Sequence, residues 1–171
     1  MPLEIRRATT ADAELISRLG ARIFIETFAP HNTPENMRRY VADAFAPLRV
    51  RAELADPKTT ALIVEIDAAA AGYARLHINE APSAVRGAAP IEMVRLYVEG
   101  AHHGTGAGAA LMEAAIEAGR GLSRDVMWLG VWEHNPRAQA FYAKWGFVRV
   151  GDHAFMLGDD RQTDWLMERR L

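Results

Sequence analysis

Apolar positions repeat along the chain with two different periods, and each period predicts a type of element. Short apolar runs predict strands over residues 3–7, 61–66, 73–78, 91–98 and 125–132, and closing strands at 147–150, 155–157 and 164–168. Helical spacing predicts helices whose apolar faces span Leu15–Ile23, Met37–Phe45, Leu111–Ile116 and Ala138–Trp145, and Pro47 begins another short helix. Residues 67–72 are predicted as a turn and 79–90 as the longest loop.

The predicted helices begin at good capping residues, which are Thr9 or Thr10 with Asp12, Thr33 before Pro34, and Asn135 before Pro136. A tight link between strands 61–66 and 73–78 favours an antiparallel pair. A helical crossover between strands 91–98 and 125–132 favours a parallel pair. We therefore predict an α+β fold with a mixed sheet, one central βαβ unit, and a single domain over residues 1–171.

Composition excludes several classes of function. Half of the 171 residues are apolar and the net charge is −2, so no basic surface for nucleic acid is expected. No apolar run reaches the length of a membrane span and residues 1–4 do not begin a signal peptide, so a cytoplasmic location away from membranes is expected. The chain has no cysteine, which excludes thiolate catalysis, and its histidines lack metal-ligand spacing, so no metal is predicted.

A glycine-rich turn follows the strand at 91–98. Gly104, Gly106 and Gly108 stand directly before a predicted helix. Free backbone N–H groups and the helix dipole favour an anion at such a position, and glycines let a phosphate approach the main chain. This pattern predicts a phosphate site.

Two known types of phosphate-binding turn match the glycines only in part. A P-loop needs Lys followed by Ser or Thr, but Ala109 and Ala110 follow the last glycine. A dinucleotide fingerprint matches Gly104–Ala109, yet five residues separate Gly104 from the strand end. Close packing of a helix start on the sheet, without any phosphate, remains an alternative.

Two motifs together resemble the GCN5-related N-acetyltransferases (GNAT). In the first, Arg/Gln-x-x-Gly-x-Gly/Ala, His103 stands in the Arg/Gln place, followed by Gly106 and Gly108. The second, Asn-x-x-Ala-x-x-Phe-Tyr-x-Lys-x-Gly-Phe, matches from Asn135 to Phe147. The resemblance implies the acyl-CoA N-acyltransferase fold, with a mostly antiparallel sheet, and acetyl-CoA as co-substrate.

The same resemblance implies roles for individual residues. Tyr142 matches the tyrosine that protonates the departing thiolate, although a core aromatic would also fit its helix face. Histidine at 103 departs from the family pattern because its positive charge is not permanent. The residues implied to bind acetyl-CoA are Leu96, Tyr97, Val98, His103, Gly104, Thr105, Gly106, Ala107, Gly108, Asn135 and Lys144.

The segments Glu26–Ala29, Asn32–Met37 and Gly151–Met167 are similar to the bacterial polyamine (spermine/spermidine) N-acetyltransferase subgroup. That resemblance implies a small polyamine acceptor, with Glu26, Phe28 and Tyr40 in its binding site. An alkylammonium must lose a proton before it can attack, and Glu92 is predicted as the general base, with Glu26 second. Glu35 and Glu80 are further carboxylates in segments that could face the acceptor side.

The sequence leaves two other functions open. A non-catalytic acetyl-CoA sensor that regulates a partner protein would bind the cofactor without turnover. A protein-directed acetyltransferase would act on peptides and not on free amines. A homodimer is a further possibility, whereas nucleic-acid and membrane partners are not expected.

Overall fold

The computed structural model describes residues 2–171, in which seven strands form one sheet. The strands are β1 (Leu3–Arg7), β2 (Thr59–Ile66), β3 (Ala69–His77), β4 (Pro90–Val98), β5 (Val126–Trp132), β6 (Val148–Leu157) and β7 (Asp160–Arg170). The helices are α1 (Ala13–Phe28), α2 (Pro34–Ala44), α3 (Pro47–Ala55), α4 (Ala107–Gly121) and α5 (Pro136–Lys144). No helix within residues 2–171 is both long and apolar enough to cross a membrane.

The strand order is β1-β2-β3-β4-β5-β7-β6. Strands β4 and β5 run parallel and are joined through α4, while the other neighbouring pairs are antiparallel. The prediction of a mixed, mostly antiparallel sheet with a central βαβ unit is therefore confirmed.

The two faces of the sheet carry different helices. On β2, Leu62 and Val64 pack in the same apolar cluster as Leu111 and Met112 of α4, whereas Ile63 packs with helix α1. Successive residues of a strand point to opposite faces, so α4 and α1 cover opposite sides of the sheet. Burying each large aliphatic side chain in these clusters contributes about 1.5–3 kcal/mol.

The predicted capping residues are confirmed at the helix starts. Thr33 Oγ1 accepts a hydrogen bond from the Asn36 amide at 3.3 Å, and Asn135 Oδ1 accepts one from the Ala138 amide at 3.2 Å. Thr9 caps a 3₁₀ turn that leads into α1. These bonds satisfy amides that have no partner inside their own helix.

Two predicted boundaries were wrong. The turn after β2 consists of Asp67 and Ala68, both with positive φ, so β3 begins at Ala69 rather than at residue 73. Such a turn matches the twist of a tight hairpin, and the following alanines join the strand despite their weak β propensity. At the C-terminus, β6 and β7 form one long hairpin instead of three short strands, because paired neighbours extend them beyond their apolar runs.

Candidate active site

A cleft opens in the middle of the sheet where the parallel strands separate. β4 and β5 are paired only from Pro90–Glu92 to Val126–Trp128, although both strands continue for several residues. The edge of β4 beyond Glu92 therefore presents backbone N–H and C=O groups to the gap. The resulting cleft has a volume of about 800 Å³ and is lined by residues from both faces of the sheet.

A bulge in β4 decides which side chains enter the cleft. Arg75 of β3 pairs with Arg95 and Leu76 pairs with Met93, which leaves Val94 without a partner. After an extra residue the alternation of the strand reverses. Leu96 and Val98 consequently pack against the α4 cluster, as Met93 does. The predicted cofactor residues Leu96, Tyr97 and Val98 all line the cleft.

The glycine-rich turn closes one end of the cleft. Gly104 and Gly106 have φ values of 81° and 93°, and Gly106 caps α4 without a side-chain hydrogen bond. A Cβ at either glycine would meet nothing within 4 Å, so the backbone is open to a ligand. The first amides of α4 have no intrahelical acceptor and point to this space. The arrangement fits an anionic group such as a pyrophosphate.

The neighbours of these glycines differ in exposure to the cleft. His103, Gly104, Gly106 and Gly108 line it, and the structure adds Ala109 to this set. Ala107 is fully buried and Thr105 lies outside the lining, with its hydroxyl donating to the His102 carbonyl at 2.7 Å. The side chains of Thr105 and Ala107 are therefore not part of the cleft wall.

His103 is held by the strand that precedes it. Its Nε2 lies 2.9 Å from the Val98 carbonyl oxygen. Because a carbonyl only accepts hydrogen bonds, Nε2 carries the proton and Nδ1 is left for the ligand. A neutral His103 would offer a lone pair at Nδ1, whereas a protonated one would offer a donor.

Helix α5 supplies Asn135 and Tyr142 to the opposite wall of the cleft. The side-chain oxygen Oδ1 of Asn135 accepts the capping hydrogen bond of α5, so the side-chain Nδ2 remains available to donate to a ligand. Lys144, which the sequence grouped with the cofactor residues, is exposed in the last turn of α5 and does not line the cleft.

Tyr142 lines the cleft and is also packed in the core. Its ring centroid lies 5.6 Å from that of Phe141 and 5.8 Å from that of Phe147, so the ring also belongs to the core. Within residues 2–171 its hydroxyl has no hydrogen-bond partner. Burial, with a smaller effect of the nearby Tyr97, raises the pKa of Tyr142 well above its usual range. The hydroxyl therefore keeps its proton at neutral pH.

Aromatic side chains form the other half of the cleft, on the side of α1 and α2. The ring of Phe28 lies edge-on to Trp132 with centroids 6.1 Å apart, and Tyr40 lies 5.4 Å from Phe155. Tyr40 also stacks on Phe24 at 4.6 Å. Such rings bind both aliphatic chains and ammonium groups, the latter through cation–π contacts. Phe28 and Tyr40 were predicted in this half, whereas Trp132 and Phe155 were not.

Of the four carboxylates predicted near the acceptor, two line the cleft and two do not. Glu92 and Glu26 line the cleft, with Glu26 exposed on α1. The Glu92 carboxylate accepts a hydrogen bond from Asn79 Nδ2. Glu35 and Glu80 are exposed and lie outside the cleft, so the prediction that they face the acceptor was wrong. Glu35 belongs to α2 and Glu80 to the loop after β3, and the place of these segments in the chain did not determine where their side chains point.

Asp164 and His153 were not recognised as functional residues from the sequence. They pair across β6 and β7, and both line the cleft. Asp164 Oδ2 lies 3.7 Å from His153 Nε2, and the Asp164 side chain is 13% exposed. Burial raises the pKa of Asp164 to about 6, and His153 limits the rise. No local signal in the sequence marks this pair, because its position depends on the register of the β6–β7 hairpin.

No group of three or more metal-ligating side chains comes together in the described part of the chain, residues 2–171. The cleft lining combines backbone amides, Tyr142, three carboxylates, aromatic rings, histidines and the guanidinium groups of Arg95 and Arg137. They can hold an anion at one end and an organic cation at the other.

Comparison with known proteins agrees with this geometry. Residues 18–147 match the acetyltransferase (GNAT) family. The chain is 34% identical over 169 residues to an uncharacterized N-acetyltransferase of Lactobacillus delbrueckii subsp. lactis, covering 99% of this chain and 98% of the relative. It is also 34% identical over 161 residues to an uncharacterized N-acetyltransferase of Mycobacterium bovis, covering 94% and 98%.

A solved structure shares the complete fold. The PaiA N-acetyltransferase of Thermoplasma acidophilum, in complex with coenzyme A, superposes with a TM-score of 0.82 over all of both chains. Its sequence is only 19% identical, so this likeness is one of fold.

Proposed function

Because the chain belongs to the acetyltransferase (GNAT) family and is an N-acetyltransferase, we propose that it transfers the acetyl group of acetyl-CoA to a primary amine of a polyamine such as spermidine. The transfer is direct, within a complex of both substrates. Acceptors of this kind are small cations, which accounts for the chemistry of the cleft wall.

One observation carries the proposal: the cleft joins an anion site at the start of α4 to an aromatic pocket containing carboxylates through the gap between β4 and β5. Acetyl-CoA with its phosphates near Gly106 could extend its pantetheine arm along β4, so that the thioester reaches the gap. The free edge of β4 offers hydrogen bonds to that arm and one N–H for the developing oxyanion. The amine approaches from the other face.

The chemical step requires proton transfers at both ends. The amine nitrogen attacks the thioester carbonyl, the C–S bond breaks, and the thiolate takes a proton from Tyr142. Tyr142 suits this role because its hydroxyl is protonated and without a partner among residues 2–171. Stabilising a leaving group acts only in the transition state, so it raises kcat and not affinity.

The acceptor half supports a cation with several charges. Glu26, Glu92 and Asp164 line it, together with the rings of Phe28, Tyr40, Trp132 and Phe155, and the three carboxylates outnumber its one arginine, Arg95. Each exposed ion pair contributes only about 0.2–1 kcal/mol and is screened by salt. Polyamine binding should therefore be weak and sensitive to salt. The resemblance over residues 151–167 supports the same acceptor.

The proposal is tested by following CoA release from acetyl-CoA with a panel of acceptors. The panel contains spermidine, an alkyl monoamine, a free amino acid and a lysine-containing peptide. We expect spermidine to react with the highest kcat/KM, and its KM to rise between low and physiological salt. Reaction with the peptide alone would indicate a protein-directed enzyme. Acetyl-CoA binding in calorimetry without turnover on any acceptor would indicate a sensor.

The cytoplasmic location and the homodimer stay predictions.

A further inference from the structure

Asp164 and His153 form a pair directly over β5. A Cβ at Gly130 would lie 2.5 Å from His153 Nε2 and 3.1 Å from Asp164 Oδ2. A side chain at this position would displace the histidine and crowd the carboxylate, so glycine leaves room for the pair against the strand. Gly130 itself lines the cleft beyond the last paired residues of β4 and β5. The pair thus sits beside the gap through which the two substrates meet.

The pair has polar atoms that the protein itself does not satisfy. His153 Nε2 is buried and has no hydrogen-bond partner within residues 2–171. In the same part of the chain the Asp164 carboxylate accepts no hydrogen bond, since the contact with His153 at 3.7 Å is too long. A buried polar atom without a partner costs free energy, and a ligand or water that supplies the partner removes this cost.

Glu92 and Asp164 differ in their hydrogen-bond partners. The Glu92 carboxylate already accepts a hydrogen bond from the Asn79 amide, whereas the Asp164 carboxylate has no donor among residues 2–171. Burial raises the pKa of Asp164 and makes its carboxylate more basic. Of the two carboxylates on this wall, Asp164 is better suited to accept a proton at neutral pH.

We propose that Asp164, paired with His153 over Gly130, accepts the proton that the acceptor ammonium loses before it attacks the thioester. This assignment rests on the proposed function. The ammonium R–NH₃⁺ donates one proton to the carboxylate and becomes the attacking amine. The thiolate takes a proton from Tyr142, and the second proton that the nitrogen loses as the amide forms restores Tyr142. Asp164 passes its proton to solvent. Overall one proton is released to solvent for each acetyl group transferred.

Two charged neighbours act on the pKa of this carboxylate. His153 on β6 lowers the pKa of Asp164, and Glu133, which follows β5, raises it. The remaining Glu and Arg side chains that line the cleft are Glu92 and Arg95 on β4, Glu26 on α1 and Arg137 on α5. Below about pH 6 Asp164 is protonated and cannot accept a proton, so activity should fall there.

The experiment compares pH profiles of kcat and KM for Asp164→Asn, His153→Gln and the wild-type enzyme, with spermidine as acceptor. Asp152→Asn is the matched control, because Asp152 is an exposed carboxylate next to His153 that pairs with Arg149. We expect Asp164→Asn to lower kcat about 10²-fold or more at pH 7, the usual scale for general base catalysis. The loss should shrink towards pH ~10, where the amine is already neutral.

His153→Gln gives a second, independent test that keeps the Asp164 carboxylate. Removing the histidine should move the acidic limb of the kcat profile to higher pH, because His153 lowers the pKa of Asp164. Asp152→Asn should leave both profiles unchanged. Circular dichroism and CoA binding establish that each variant is folded.

Three results would overturn the assignment. The first is a wild-type profile for Asp164→Asn, and the second is a loss confined to KM at every pH, which would make Asp164 a binding residue only. The third is a pH-dependent loss of kcat in Glu92→Gln that Asp164→Asn does not show. A wild-type enzyme that acetylates no amine would instead refute the proposed function, and with it the assignment, before any variant is compared.

Discussion

Replacing Asp164 by asparagine should stabilise the folded protein at neutral and alkaline pH, even though it is expected to impair catalysis. The side chain is 13% exposed, and its carboxylate is not hydrogen-bonded by any of residues 2–171. Burial raises its pKa from 3.8 to about 6, which means that the folded state disfavours the ionised form. Asparagine keeps the shape of the side chain but carries no charge.

The size and sign of the effect follow from that pKa. Each pKa unit corresponds to about 1.4 kcal/mol, so the ionised carboxylate costs the folded state up to about 3 kcal/mol. Between pH 3.8 and about 6 the folded protein binds more protons than the unfolded chain, so stability falls as pH rises. The cost is complete above about pH 6 and absent below pH 3.8.

Urea unfolding of Asp164→Asn and wild type at pH 8 and at pH 4 measures this difference. We expect the variant to be more stable by up to about 3 kcal/mol at pH 8, with most of the gain lost at pH 4. Asp152→Asn, at an exposed carboxylate, should change stability by less than about 0.5 kcal/mol at either pH. A variant that is less stable than wild type at pH 8, or a gain independent of pH, would show that burial does not penalise the Asp164 charge.

Other predictions concern the cofactor half of the cleft. Ala109→Glu places a negative charge beside the phosphates without backbone strain and should weaken CoA binding about ten-fold in calorimetry, while Ala109→Gln should not; equal effects would indicate steric blocking. His103→Arg should tighten CoA binding because its charge is permanent, and unchanged affinity would place the phosphates elsewhere. Tyr142→Phe should lower kcat about 10²-fold with little change in KM, and near-normal turnover when chemistry limits the rate would assign the proton to water.

The elements around the glycine-rich turn could be predicted from the sequence because their signals are local. The strand at 91–98, the glycines at 104–108 and the helix after them are adjacent in the chain, and the structure keeps them adjacent. The parallel pairing with β5 followed from the helical crossover alone. Asn135 as a helix cap could likewise be identified from its own neighbours.

The acceptor half depends on contacts that are distant in sequence. Asp164 lies beside His153 because of the register of the β6–β7 hairpin. This register is hard to predict, since β6 has no regular alternation of apolar and polar residues. The bulge at Val94 decides to which face of the sheet the following side chains point, and no residue pattern predicts that bulge. Glu35 lies between the cleft residues Phe28 and Tyr40 in the sequence, yet its side chain is exposed to solvent. Register and bulges are set by tertiary pairing, which local propensity does not determine.

The most direct test of the proposed function is the ratio of kcat/KM for spermidine to kcat/KM for an alkyl monoamine, measured with saturating acetyl-CoA. We predict a ratio well above one at low salt that falls at physiological salt, because carboxylates of the cleft select the additional charges of the polyamine. A ratio near one that does not change with salt would contradict the polyamine assignment.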